Sequence, residues 1–142
     1  MEASENLIEK MKAFEGLRRE AYRDAAGVLT IGYGHTGKDV REGDRITPYW
    51  AEQLLLLDLK EFEMAVRRLK VARTQGQFDA LVSFTFNLGI GRLTRSTLLK
   101  VIRNGGSKAA ITREFKRWVY ADGKQLPGLV KRREWEAKRF FE

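Results

Sequence analysis

Residues 14–35 read Phe14-Glu-Gly-Leu-Arg-Arg-Glu-Ala-Tyr-Arg-Asp24-Ala-Ala-Gly-Val-Leu-Thr30-Ile-Gly-Tyr-Gly-His35. The stretch opens at Glu15-Gly16, where the glycine is typical of a helix C-terminus. Strand-forming residues follow on both sides of Asp24-Ala-Ala-Gly27, a composition that is typical of a hairpin turn. The stretch therefore predicts the end of a helix followed directly by a β-hairpin.

Three side chains of this stretch have the chemistry to act together on a substrate. Eight residues separate Glu15 from Asp24, and five separate Asp24 from Thr30. Cleavage of a glycosidic bond needs a carboxylic acid that protonates the leaving oxygen and a second polar centre that holds or activates water. Two carboxylates and a hydroxyl meet this need, although acidic pairs are common and the spacing alone indicates little.

The rest of the chain has the pattern of a helical protein. Ser4 is a candidate N-cap, and Thr47-Pro48 is typical of a helix start. We predict helices over residues 4–15, 48–70, 75–87, 95–104, 107–121 and 127–140, and a loop with a short third strand over 36–46. The predicted fold class is α+β, a single domain over 1–142. It has a β-lobe at about 16–46 and an all-helical lobe that consists of about 47–142 together with helix 4–15. Substrate is expected in the cleft between the lobes.

The composition excludes several classes of protein. The 142 residues are 43% hydrophobic and 32% charged, which indicates a folded globular chain rather than a disordered one. Cysteine is absent, so disulfides, thiolate nucleophiles and cysteine metal sites are excluded. The N-terminus lacks a basic region followed by an apolar stretch, which argues against a signal peptide, and no apolar run approaches the length of a membrane helix.

The net charge of +8 lies mostly near the C-terminus, where residues 100–142 carry twelve Lys and Arg against five Asp and Glu. Such a surface favours a polyanion: nucleic acid, an anionic membrane or an anionic wall polysaccharide. A solvated basic helical face explains the same composition. Because no helix-turn-helix, zinc-ligand or aromatic RNA-binding pattern is present, we expect no specific nucleic acid partner.

The order of Glu15, Asp24 and Thr30 resembles the pattern of the phage-type lysozymes of glycoside hydrolase family 24, the endolysins of tailed phages. Four further blocks agree, over nearly the whole chain. They are Thr30-Ile-Gly-Tyr-Gly-His35, Phe86-Asn-Leu-Gly89 with Ser96-Thr-Leu-Leu99, Trp118, and Gly128-Leu-Val-Lys-Arg-Arg133-Glu134. The resemblance implies a lysozyme-like fold in which a long helix joins the lobes. It also implies hydrolysis of the β-1,4 bond between N-acetylmuramic acid and N-acetylglucosamine in peptidoglycan, with inversion at the anomeric carbon.

The resemblance gives the three residues of the hairpin region their roles. Glu15 is the expected general acid, Asp24 is the ionised carboxylate that polarises the attacking water, and Thr30 helps to position that water. Asp24 also suits the turn itself, because an aspartate at such a position bonds its own backbone. If the reaction inverts, the two carboxyl groups are expected to be about 6.5–9.5 Å apart to admit the water.

His35, the only histidine, is expected to be structural and ion-paired to a carboxylate of the long helix. The resemblance makes Glu61 the first choice for that carboxylate and Asp58 the second.

The resemblance also indicates that Arg132 or Arg133 holds the Glu15 carboxyl by a hydrogen bond, and the sequence does not distinguish between the two. Trp118 and Trp135 are expected in the core. The candidate sugar contacts are Tyr33, Asn87 and Ser96.

Two other functions remain as alternatives. A lytic transglycosylase splits the same bond with one acid and without water, and the presence of Asp24 and Thr30 argues against it. The second alternative, a basic module that binds nucleic acid, is supported by the positive net charge alone.

Several expectations on partners and location follow from the resemblance. The substrate is bacterial peptidoglycan, no metal or other cofactor takes part, and the protein is a monomer with electrostatic contact to the anionic envelope. Without a signal peptide, we expect it to accumulate in the host bacterial cytoplasm and to reach the wall, in the periplasm, after release by a holin.

Overall fold

The computed structural model describes all 142 residues. It contains seven helices and five short strands, an α+β fold as the sequence predicts. The elements, in chain order, are α1 Glu5–Glu15, β1 Arg18–Arg23, β2 Leu29–Gly32, β3 His35–Thr36, α2 Pro48–Leu69, α3 Gln75–Leu88, α4 Ile90–Thr94, α5 Thr97–Arg103, α6 Lys108–Lys116, β4 Tyr120–Ala121, β5 Lys124–Gln125 and α7 Pro127–Phe140.

The chain divides into two compact units, and we describe each by itself. The sheet unit comprises Ile8–Lys60, and the larger unit comprises Met1–Leu7 together with Glu61–Glu142. The boundaries therefore fall within α1 and within α2. The lobe limits at residues 16–46 and 47–142 stay a prediction.

The sheet unit is built on a three-stranded antiparallel sheet in the order β1-β2-β3. Thr30, in the central strand, lies opposite Tyr22 on one side and Thr36 on the other. The buried apolar side chains of this unit come from α1, the sheet, the following loop and α2. They are Met11, Ile31, Val40, Ala51, Leu55 and Leu59.

Side-chain caps set the starts of most helices, because they satisfy N–H groups that have no partner within the helix. Ser4 Oγ accepts from Leu7 N at 3.1 Å, as its predicted capping role requires. Thr47 Oγ1 accepts from Trp50 N at 3.3 Å at the start of α2. Thr74, Ser96 and Ser107 cap α3, α5 and α6 in the same way.

The larger unit is organised around α3, whose residues from Phe78 to Thr85 are all buried. A close approach of α3 to the C-terminal residues needs a glycine, because a Cβ on Gly76 would lie 2.3 Å from the carbonyl oxygen of Arg139. Aromatic rings in edge-on contact fill the space beside α3: Phe84 lies 5.6 Å from Trp118 and 5.8 Å from Phe115. Trp118 is half-buried and packs one edge of its ring against this cluster, so its predicted place in the core is met only in part.

The N-terminal residues are fastened to the larger unit by a completely buried carboxylate. Asp79 accepts hydrogen bonds from the backbone N and the Oγ of Ser4, from Gln75 and from Arg139. Since a buried charge is costly unless it is paired and hydrogen-bonded, these partners explain how Asp79 is tolerated in the core.

Three details of the predicted fold are wrong. The helix predicted over 95–104 begins at Thr97 and is preceded by the separate helix α4, because Ser96 caps a new helix. The helix predicted over 107–121 ends at Lys116, and a β4–β5 hairpin follows it, so the predicted lobe at 47–142 is not all-helical. The third strand is His35–Thr36, at the edge of the predicted loop. None of the helices has both the length and the apolar character that crossing a membrane requires.

Candidate active site

Glu15 is the last residue of α1, and its side chain is partly buried. Gly16 ends the helix with a φ of +72°, and its N–H donates to the Lys12 carbonyl at 2.9 Å. The Glu15 carboxyl lies beside the turn between β2 and β3, where a Cβ on Gly34 would be 3.5 Å from Oε1. Because Gly34 has no side chain, this flank of the carboxyl is left open.

Asp24 builds the turn of the β1–β2 hairpin. Its Oδ1 accepts from the backbone N–H groups of Ala26 and Val28, both at 2.9 Å, and its own N–H donates to the Val28 carbonyl at 3.0 Å. The predicted turn role is therefore confirmed. The other carboxylate oxygen, Oδ2, has no protein partner and lies on an exposed residue, so it remains available to water.

Thr30 lies one strand residue beyond this turn and is 4% exposed. Its hydroxyl donates to the Val28 carbonyl at 2.9 Å, the same carbonyl that accepts from the Asp24 N–H. One carbonyl thus joins the two residues. Because the Thr30 proton is used in this way, the hydroxyl can meet a water only as an acceptor. We call Glu15, Asp24 and Thr30 the hairpin site; all three lie in the sheet unit.

His35 is held between two carboxylates of the sheet unit. Its Nδ1 lies 2.8 Å from Asp58, and its Nε2 lies 3.1 Å from Asp39. The first choice of partner, Glu61, is wrong, because both ring nitrogens are occupied; Asp58, the second choice, is confirmed. Asp39 was missed, although its position four residues after the histidine is a usable signal.

The surroundings of His35 shift its protonation. Burial disfavours the charged ring, but the hydrogen bonds to Asp58 and Asp39 outweigh that effect and raise the pKa of His35 above its ordinary value of 6.5. The hydrogen bond to His35 in turn lowers the pKa of Asp39.

The two candidate arginines lie in the larger unit, in what we call the buried arginine cluster: Ser83, Arg132, Arg133 and Glu136. Arg133 is fully buried and donates to Asn87 Oδ1 at 2.9 Å and to Glu136 Oε2 at 3.0 Å. Arg132 is 4% exposed and donates to the Oγ of Ser83 at 3.3 Å and to its carbonyl at 3.2 Å. The role of either arginine toward Glu15 stays a prediction.

Glu136 is the centre of the buried arginine cluster. It is 0% exposed, and Ser83 Oγ donates to it at 2.5 Å. Its Oε1 lies 2.7 Å from Arg133 Nε as an ion pair, although neither atom has a partner in hydrogen-bond geometry. Complete burial raises the pKa of Glu136, and the charges of Arg133 and Arg132 oppose this rise. Sequence reasoning missed Glu136 and Ser83, and only the spacing of Arg133 and Glu136 gave a signal.

The three candidate sugar contacts have different surroundings. Ser96 is 3% exposed, and its hydroxyl both accepts from Leu99 N and donates to the Leu93 carbonyl. Asn87 Oδ1 accepts from Arg133, and Tyr33 lies partly exposed in the turn between β2 and β3. Their contact with substrate stays a prediction.

The fold and the hairpin agree with the resemblance to phage-type lysozymes. The family model described as Phage lysozyme matches residues 12–136, and the chain belongs to that family.

Several known proteins resemble this chain over its whole length. The endolysin of Bacillus phage B103 is 46% identical over 144 residues, which cover 99% of this chain and 54% of that protein. The endolysin of Acyrthosiphon pisum secondary endosymbiont phage 1 is 42% identical, over 100% of this chain and 99% of that protein. The solved muramidase domain of SpmX from Asticaccaulis excentricus is 37% identical, with a TM-score of 0.90 over 99% of this chain and 98% of that chain. The chain therefore spans about half the length of the Bacillus phage relative and nearly all of the other two.

Proposed function

We propose that this protein is a muramidase, an endolysin that hydrolyses the β-1,4 bond between N-acetylmuramic acid and N-acetylglucosamine of peptidoglycan, for host cell lysis and phage release. The observation that carries the proposal is the hairpin site, in which Asp24 is fixed by its own turn yet keeps one oxygen available. Membership of the phage lysozyme family, and relatives that are named endolysin and muramidase, support it.

In the proposed reaction, Glu15 acts as general acid and Asp24 directs a water molecule. The Glu15 proton passes to the glycosidic oxygen as its bond to the anomeric carbon breaks. The water oxygen bonds to the anomeric carbon from the opposite face, and its proton passes toward the Asp24 carboxylate. Thr30 accepts a hydrogen bond from this water, since its own proton is donated to Val28. The products are a reducing N-acetylmuramic acid and a free hydroxyl on N-acetylglucosamine.

Attack from the face opposite the leaving group inverts the anomeric carbon, so the first product is expected to be the α-anomer. Nuclear magnetic resonance of a fresh digest detects this anomer before mutarotation mixes the two forms. A β-anomer as the first product would indicate a retaining mechanism and would contradict direct attack by the water at Asp24.

Product analysis of purified peptidoglycan tests the proposal directly. Mass spectrometry is expected to find reducing N-acetylmuramic acid ends. Fragments lighter by one water would identify a lytic transglycosylase instead, and an intact polymer would refute the proposal.

Access to the wall forms part of the proposal and depends on the resemblance to endolysins. The protein would accumulate in the host cytoplasm as a monomer, pass a membrane opened by a holin, and contact the anionic envelope through its basic surface. Expression in a bacterial host with and without a holin tests this route, and lysis without the holin would refute it.

A further inference from the structure

A cavity of about 640 Å³ lies in the sheet unit, apart from the groups to which we have given roles. This volume falls within the range of small-ligand sites. The segment that leads into β1 and most of β1 itself form one wall, and the segment before α2 forms the other. The lining residues are Leu17, Arg18, Arg19, Glu20, Ala21, Tyr22, Arg45 and Ile46. We call this cavity the arginine pocket.

An irregularity of β1 creates the arginine pocket. The strand pairs with β2 at Arg18 and again at Tyr22, and the register shifts between these two residues. The bulged residues bond instead to the segment before α2: Ala21 N donates to the Asp44 carbonyl at 2.9 Å, and Ile46 N donates to the Arg19 carbonyl at 2.8 Å. The walls are therefore fixed by main-chain hydrogen bonds, as a preformed site requires.

The charge of the arginine pocket is positive. Three arginines and one glutamate line it, which gives a net charge of +2. Arg45 lies 3.8 Å from Glu20, a long ion pair between exposed side chains. Arg18 and Arg19 are paired with no carboxylate. The pocket thus offers two guanidinium groups to an anion, and guanidinium groups bind carboxylates with paired hydrogen bonds.

Tyr22 places the arginine pocket next to the hairpin site. The Arg18 guanidinium stacks on the Tyr22 ring, 4.0 Å from its centre, which holds the planar group in one orientation. Tyr22 also lies directly opposite Thr30 in the β1–β2 register, so the two side chains share one face of the sheet. The pocket and the hairpin site therefore meet on this face of the sheet at Tyr22 and Thr30, which favours an anion carried by the substrate itself.

We infer that the arginine pocket binds a carboxylate of the peptide substituent on the N-acetylmuramic acid next to the cleaved bond. The inference rests on the proposed function. N-acetylmuramic acid carries a lactyl group whose attached peptide bears free carboxylates, whereas N-acetylglucosamine carries no charge. Arg18 and Arg19 hold the carboxylate, and the pocket has room for the adjoining peptide. The pocket thereby selects glycan strands that still carry their peptides.

The test compares two substrates made from one preparation: glycan strands with their peptides, and the same strands after an amidase has removed the peptides and the lactyl carboxylates so freed have been converted to methylamides. The measured quantity is the ratio of kcat/KM on the first substrate to that on the second. Arg18→Gln and Arg19→Gln are each expected to lower this ratio by about tenfold, the effect of one lost charge-assisted hydrogen bond. Arg41→Gln removes the same charge from an exposed residue of the same unit outside the pocket, and the ratio is expected to stay unchanged.

A binding measurement tests the arginine pocket without requiring catalysis. Calorimetry of the Glu15→Gln variant with N-acetylmuramyl dipeptide is expected to detect binding that is lost when Arg18→Gln is added. Thermal unfolding of each variant establishes that it is folded, and Arg18→Lys, which keeps the charge without the planar fork, is expected to restore the affinity only in part.

The outcomes separate the inference from the proposed function. Cleavage of neither substrate by the unaltered protein would refute the proposed function. Cleavage of both, with the same ratio for the unaltered protein, Arg18→Gln and Arg41→Gln, would refute the inference alone. Equal binding of a glycerol phosphate polymer and the muramyl dipeptide would identify a phosphate of another wall polymer as the anion and would also refute the inference.

Discussion

The hairpin site and the buried arginine cluster both centre on carboxylates, but the molecule holds these carboxylates in different ways. Asp24 is fixed at one oxygen by two backbone N–H groups of its own turn, and its other oxygen stays available. Glu136 is completely buried and surrounded by the side chains of Ser83, Arg132 and Arg133. A backbone-held carboxylate on the surface can meet a substrate, whereas a buried one held by side chains joins helices. The comparison therefore predicts loss of activity at the first and loss of stability at the second.

The largest effect is expected at Glu15. Glu15→Gln removes the proposed acid while keeping the shape of the side chain, and kcat on purified peptidoglycan is expected to fall about 10²–10⁴-fold. The variant is expected to stay folded, which a cooperative chemical unfolding transition establishes. Glu9→Gln, on the exposed face of the same helix, is the matched control. Activity retained by Glu15→Gln would remove Glu15 from the acid role.

Glu136 is expected to give the largest change in stability. Glu136→Gln removes the buried carboxylate that pairs with the fully buried Arg133, so the free energy of unfolding is expected to fall by about 3–5 kcal/mol in urea titrations. Glu134→Gln changes an exposed glutamate of the same helix and is expected to have little effect. If both variants were equally stable, the ion pairs of the cluster would contribute nothing to folding.

Two variants of Asp24 are expected to separate its structural role in the turn from its proposed catalytic role. Asp24→Asn keeps an oxygen for the backbone N–H groups, so stability should be retained while kcat falls about 10²-fold with the loss of the charge. Asp24→Ala also removes the turn acceptor, and the free energy of unfolding is expected to fall by about 1 kcal/mol as well. Equal activity of Asp24→Asn and the unaltered protein would leave Asp24 as a turn residue only.

The smallest effect is expected at His35 and concerns the pH dependence of stability. His35 is half-buried between two carboxylates, so it lies between the exposed Asp24 and the buried Glu136. The raised pKa of His35 means that the folded protein binds the proton more tightly than the unfolded chain. This stabilisation is fully present below the ordinary pKa of 6.5 and is lost as the pH rises through the raised pKa. In His35→Gln, the free energy of unfolding is expected to change less with pH across this interval than it does in the unaltered protein. An unchanged pH dependence would show that the ion pairs of His35 do not contribute to stability.

Most elements could be predicted from the sequence because their signals are local. Ser4 and Thr47 mark helix starts through caps that lie within three residues of the bonded N–H. The wrong boundaries arose where one local signal competed with another. Val119 and Tyr120 continue a helical pattern, but they precede a turn at Asp122 and Gly123, both with positive φ, and a hairpin forms instead.

The candidate site could be predicted only in part. Asp24 was recognised as a turn residue because its hydrogen-bond partners lie two and four residues away. The partner of His35 could not be chosen with certainty, because Asp58 lies 23 residues away on another element. The partners of Glu136 were equally hidden, since Ser83 lies 53 residues from it.

By itself, the sequence determined the helices, the hairpin and the three side chains suited to glycosidic chemistry, since caps, turns and periodicity act over a few residues. Only the tertiary structure decided which charged groups face solvent and which are sealed inside. It also decided that a bulged strand and a distant segment enclose the arginine pocket. Burial and pairing depend on contacts between residues far apart in the chain, and no local pattern records them.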